Sequence, residues 1–169
     1  GRSYPVVLSQ IRREFGVDLP DSFEADYRAR LLAAFRTDLR IMPGVRELLA
    51  QLAVPFGLAT SSSPERVADS LRIVGLSDSF AGRVTTSSEV ARGKPAPDIF
   101  VHAAAKAGTD PRRCLVIEDS APGLRAAMAA GMTTWHFTGG SHLAGLAPAE
   151  DEPRAGHVEC QAEQGHHQQ

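Results

Sequence analysis

The sequence predicts an α/β fold, a doubly wound parallel sheet preceded by a helical lobe. Three observations carry that reading. Short apolar runs alternate with amphipathic helical stretches between about residues 41 and 140. The connections between them are brief and punctuated by Gly, Pro and Ser. The 43% hydrophobic content of the 169 residues suits one compact core with a small lobe. Strands that alternate with helices build a parallel sheet covered on both faces.

Residues 1–40 form the predicted helical lobe. Val6, Val7, Ile11 and Phe15 are expected on one face of a first helix, and Gly16 ends it. Leu19-Pro20-Asp21-Ser22 reads as a turn and N-cap. A second helix then runs through Tyr27, Leu31, Leu32 and Phe35. The rhythm changes at Pro43, where a short amphipathic helix reaches Leu52 and a strand is expected over Val54–Ala59. A helix from Pro64 to Val74, a weak strand at Arg83–Thr86 and a helix from Pro97 to Ala107 follow. Cys114–Ile117 is the next strand, Ala121–Ala130 a helix stopped by Gly131, and Met132–Phe137 the last strand. Residues 41–140 are thus the α/β core. From Ser141 to Gln169 large aliphatics are scarce, and disorder is expected because little apolar surface offsets the ordering entropy.

Composition narrows the partners. A net charge of −2 argues against broad attraction to nucleic acid or to an anionic membrane. No signal-peptide pattern and no long apolar run is visible, and the two cysteines suggest no disulfide framework, so a reduced, cytoplasmic setting is expected. Cys114 lies in an apolar run and reads as a small buried hydrophobe. Lysine occurs only at positions 94 and 106, which gives each one weight.

Three clusters stand at or beside the carboxyl ends of predicted strands, where ligands bind in open α/β sheets. Thr60-Ser61-Ser62-Ser63 offers hydroxyls ahead of a helix N-terminus, a setting that can hold phosphate. The same run is equally an ordinary cap, with Ser63 followed by Pro64 at the first helical position. Gly93-Lys94-Pro95-Ala96-Pro97-Asp98 presents a compact positive charge, suited to a phosphoryl oxygen, on a proline-stiffened loop. A solvated surface lysine is the alternative. Glu118-Asp119 ends an apolar strand and could serve a hard cation that prefers oxygen ligands. Capping by Asp119 or Ser120 ahead of Pro122 is the competing account.

Taken together and in order, GKPAPDIF and VIEDSAPGLRAA with the hydroxyl run resemble the haloacid dehalogenase superfamily. The similarity covers about residues 1–140 and is best to the branch with a helical cap inserted early, which includes β-phosphoglucomutase and many sugar-phosphate phosphatases; it implies that the doubly wound sheet is Rossmann-like and that residues 1–40 are a partial helical cap. The resemblance implies that Thr60 and Lys94 are catalytic, that Thr60, Ser61, Ser62 and Lys94 bind phosphate, and that Glu118 and Asp119 hold Mg²⁺. Gly1-Arg2-Ser3 resembles the cap loop that faces substrate, so Arg2 is the expected substrate contact. The implied activity is Mg²⁺-dependent phosphatase action on small phosphorylated metabolites, sugar or polyol phosphates, through an aspartyl-phosphate.

One departure bears on that expectation. The family's attacking carboxylate is the first Asp of a D-x-D pair that precedes the cap, and no D-x-D occurs in this sequence. An incomplete chain, inactive and unstable alone for want of a central strand, is the resulting expectation. An inactive relative that binds phosphate or a protein, and a phosphoglucomutase-type transferase, are the alternatives.

Overall fold

A computed structural model describes residues 4–20, 22–140 and 156–158. Helix α1 spans Tyr4–Phe15, α2 Phe23–Asp38 and α3 Val45–Gln51. Strand β1 (Leu58–Thr60), helix α4 (Pro64–Ile73) and strand β2 (Val84–Thr86) form the first βαβ unit. A short 3₁₀ turn at Ser87–Glu89 leads towards α5 (Asp98–Lys106), and another at Pro111–Arg113 precedes β3 (Leu115–Glu118). Helix α6 (Ala121–Ala129), β4 (Thr133–Phe137) and β5 (Gly156–Val158) complete the order.

All strand pairs are parallel, as the alternation of elements predicts. They fall into two ladders among the described residues, β1–β2 and β3–β4–β5. Both ladders rest on the same helices. Ile99, Phe100 and Ala104 of α5 pack with Ala126 and Ala127 of α6, and Ala59 of β1 and Val116 of β3 both close on that cluster. Ile99 and Leu124 are wholly buried, each at 0% exposure. The two ladders are therefore parts of one layer held by shared helices. Alternation along β3 turns Val116 towards these helices and Leu115 and Ile117 to the other face, where they remain 47% and 55% exposed. Trp135, the Cα partner of Ile117 on β4, is exposed on that same face.

Several expectations need correction. The first strand is only Leu58–Thr60, shorter than Val54–Ala59. Phe56 sets its ring edge-on to Phe80 at 5.5 Å and under the Arg83 guanidinium, while ladder pairing with β2 begins at Leu58. On α1, Leu8 is buried and Ile11 half-buried, while Phe15, on the same helical stripe as Leu8 but at the end of the helix, is 72% exposed. Gly16 does end this helix, at a φ of 61° that suits a residue without Cβ. Ser22 occupies the N-cap position of α2 without a side-chain cap hydrogen bond. That helix buries none of its residues: Leu31, Leu32 and Phe35 are half-covered and Tyr27 is exposed. Cys114 is half-buried against the core rather than enclosed by it. Gly156–Val158, inside the segment expected to be disordered, pairs with Trp135–Phe137. Among the described residues no helix is long and apolar enough to cross a membrane.

Candidate functional site

The hydroxyl run sits where β1 gives way to α4. Thr60 is the last residue of β1, and its Oγ1 accepts the Ser62 N–H at 3.1 Å, which folds the chain into a tight turn. Ser63 caps α4, its Oγ accepting the Arg66 N–H at 3.4 Å, with Pro64 following. Ser87 Oγ donates to the Ser61 carbonyl at 3.3 Å and ties the turn to the end of β2. Ser63 is thus spent on capping, and Thr60, Ser61 and Ser62 form the turn ahead of it.

Lys94 crosses from its loop to both ladders. Its Nζ donates to the Ala59 carbonyl at 3.4 Å, beside Thr60, and to Glu118 Oε2 at 2.6 Å. The ammonium also stands 4.9 Å from the Phe100 ring centroid, a cation–π distance. The lysine side chain is 5% exposed and that of Glu118 10%, so the surface-lysine alternative does not describe Lys94. Two of the three clusters are joined directly, and the third lies one residue from the contact.

Glu118 ends β3 and is held on both oxygens. Oε1 accepts the Ser120 N–H at 3.2 Å and the Ser120 hydroxyl at 2.6 Å, while Oε2 takes Lys94. Burial pushes the Glu118 carboxyl up, but the Lys94 charge and the hydrogen bonds from Lys94 and Ser120 outweigh it and leave the pKa below the ordinary carboxylate value. Gly123 makes this pose possible. A Cβ at that position would lie 2.1 Å from Glu118 Cδ, so the carboxylate folds over the first turn of α6 only because no side chain is there. Ser120 caps the same helix by accepting the Gly123 N–H at 3.3 Å. Asp119 follows Glu118 in the loop and is half-buried.

Sequence reasoning overlooked Ser120 and Gly123 as supports of Glu118. The signal for Ser120 was visible as a cap, but its hydroxyl makes two kinds of contact and capping accounts for one. Arg2 lies outside the described residues.

A hard cation such as Mg²⁺ usually takes one or two carboxylates together with phosphate oxygens and water. Glu118 and Asp119 supply oxygens of that kind, so the donor chemistry fits. Among the described residues no group of three or more His, Cys, Asp or Glu side chains could hold a metal, and the fit therefore relies on these two acids.

Comparison with known proteins bears on the family of the chain. A family model for haloacid dehalogenase-like hydrolases matches residues 5–131. A probable pseudouridine-5′-phosphatase of Drosophila melanogaster is 46% identical over 104 residues, which is 55% of this chain and 44% of that protein. β-Phosphoglucomutase of Bacillus subtilis is 37% identical over 110 residues, 63% of this chain and 46% of the enzyme. The chain thus spans less than half the length of these two relatives. Among solved structures, a haloacid dehalogenase-like protein of unknown function from Agrobacterium tumefaciens superposes with a TM-score of 0.70 at 35% identity, covering 84% of this chain and 65% of that one. With most of its length matched by the family model and its helices and parallel strands superposing on such a fold, the chain belongs to the haloacid dehalogenase-like hydrolase family.

Proposed function

We propose that this chain carries the phosphate-holding and charge-neutralising groups of a phosphatase for small phosphorylated metabolites, sugar and polyol phosphates among them. The observation that carries the proposal is the buried Lys94 ammonium, which reaches the Ala59 carbonyl beside Thr60 and, on its other side, Glu118. A phosphoryl group at the β1–α4 turn would take hydrogen bonds from the Thr60, Ser61 and Ser62 hydroxyls. Lys94 would neutralise an oxygen that gains charge during transfer. A Mg²⁺ ion held by Glu118 and Asp119 would add positive charge next to the same oxygens. The attacking carboxylate is assigned to no residue here, since the sequence contains no D-x-D pair. The likeness to β-phosphoglucomutase supports a second reading, in which the same groups serve phosphoryl transfer within a sugar phosphate.

Calorimetric titration of the chain with inorganic phosphate tests the proposal. Charge-assisted hydrogen bonds contribute about 1.5–3 kcal/mol, so Lys94→Met is expected to weaken binding by roughly tenfold to a hundredfold. Thr60→Ala is expected to weaken it by several-fold. Binding that both variants leave unchanged would remove the site from these residues.

A further inference from the structure

Glu118 is the better formed of the two acids, yet it is withdrawn from any incoming ligand. Three donors hold its carboxylate: the Lys94 ammonium on Oε2, and the Ser120 amide and hydroxyl on Oε1. The side chain is pressed into the space that Gly123 leaves open on α6. A divalent cation that shared Oε2 would stand beside the ammonium and be repelled by it. Lys94, for its part, has a competing destination. Its other protein acceptor is the Ala59 carbonyl at 3.4 Å, a long and neutral contact, and that carbonyl adjoins Thr60. A phosphate dianion at the turn would bid for the ammonium with more charge than Glu118 carries.

We propose that Lys94 keeps Glu118 retracted against α6, and that a phosphate group at the β1–α4 turn draws Lys94 away and releases Glu118 to a divalent cation. The inference rests on the phosphate-site reading given above. Its consequence is positive cooperativity, in which phosphate raises the affinity for Mg²⁺ and Mg²⁺ raises the affinity for phosphate by the same factor. The coupling runs through one exchange of partners at one lysine. It protects a half-made site from binding a cation without an anion.

The test uses the 169-residue chain with inorganic phosphate and MgCl₂ as probes. The two lysines, Lys94 and Lys106, provide one reporting and one reference ammonium signal in ¹⁵N NMR. Phosphate alone is expected to shift the Lys94 ammonium and the Glu118 ¹³Cδ together, while Lys106 stays in place. Calorimetry should then show Mg²⁺ binding about tenfold tighter at saturating phosphate, within the usual range of coupling between two sites. Ser120→Ala loosens Glu118 without changing any charge, so its Mg²⁺ affinity without phosphate should rise several-fold over the parent chain, with a thermal melt to show that it folds. Simple attraction between Mg²⁺ and phosphate would leave that phosphate-free affinity unchanged, and such a result overturns the inference. A Lys94 signal that moves while Glu118 ¹³Cδ does not overturns it too, with the phosphate site intact. No phosphate-induced shift at Lys94 overturns the phosphate site and the inference together.

Discussion

The helices before residue 52 and the α/β layer after residue 58 show what local pattern can and cannot secure. Helical periodicity of apolar residues occurs in both regions, strong along α1, α5 and α6 and almost absent along α2. In the α/β layer it is rewarded: α5 and α6 bury Ile99, Phe100, Ala104, Leu124, Ala126 and Ala127 between themselves and two parallel ladders. In the helices before residue 52 it is largely unspent. The sixteen residues of α2 include no buried side chain, α3 has none, and Phe15, Tyr27 and Leu48 lie exposed. Helix α2 meets α4, and one contact sets the Phe35 ring 5.6 Å from the Arg66 guanidinium. Helix α3 is fastened by Arg46, which donates to the carbonyls of Val74 and Gly75. Periodicity sets which residues share a face, whereas burial needs an opposing surface, and most helical stability in proteins comes from that packing.

The largest expected difference between the regions concerns charge. Lys94→Met strands the Glu118 carboxylate in a site where both side chains are nearly enclosed. Breaking a buried pair by removing one partner costs about 3–5 kcal/mol. Replacing both, as Lys94→Met with Glu118→Gln, should recover most of that loss in urea unfolding. A double variant no more stable than the single one would mean that the pair is not the anchor of the layer. Next comes Ile99→Ala, expected to cost about 2–5 kcal/mol because the cavity it leaves is closed on all sides. Leu48→Ala, on an exposed face of α3, should change stability by no more than about 0.5 kcal/mol. Comparable losses at these two positions would erase the contrast between the helices before residue 52 and the layer.

An acid titration sharpens the same comparison. Glu89 accepts the Thr86 N–H at 2.7 Å and the Lys106 ammonium at 3.1 Å, and Lys106 also donates to the Val84 carbonyl at 2.7 Å. These contacts bind the end of α5 to β2. The Thr86 amide first, and Lys106 second, lower the Glu89 pKa from 4.5 to about 2. A carboxyl whose folded-state pKa is depressed contributes fully above its unfolded value, and that contribution is lost as pH falls through the folded value. The stability it supplies is therefore complete above about pH 4.5 and fades towards pH 2. Glu89→Gln should flatten the acid limb of a melting-temperature profile over that interval and leave it unchanged near pH 7 apart from a constant offset. An unaltered acid limb would assign the sensitivity elsewhere, with Glu118, also depressed, the next group to test.

The limits of sequence reading follow from the same physics. The α/β alternation was legible because each strand and helix is marked by its own residues, as with Leu115–Glu118 between an Asp-capped turn and Ser120. The division into two ladders was not, since pairing partners are chosen across long separations. Nor was the extent of burial along α1, because helical spacing puts Leu8 and Phe15 on one stripe without saying how far along the helix a neighbour covers it, and of the two Leu8 alone is buried. At the candidate site, the order of the hydroxyl run, Lys94 and the acids could be read directly. The grip of Ser120 and Gly123 on Glu118 could not, because it depends on how a side chain folds back over a helix that begins three residues later.

The smallest effect tests the seam between the two regions. Arg66 belongs to the first turn of α4, directly after the Ser63 cap, and its guanidinium faces Phe35 of α2. A partly exposed cation–π contact is worth about 0.5–1 kcal/mol. Arg66→Ala should therefore lower global stability only slightly, because the densely packed layer does not depend on it. Its effect should appear in amide hydrogen exchange, which resolves local opening that a global melt averages away. Protection is expected to fall along α2 while α5 and α6 keep theirs. Should α5 lose protection equally, the lobe and the layer unfold as one unit, and the sparse burial of α2 would be compensated through α4. If only α2 responds, the contact at Phe35 is the means by which a weakly buried helix stays beside the turn that carries Thr60, and the lobe can move there without disturbing the layer beneath.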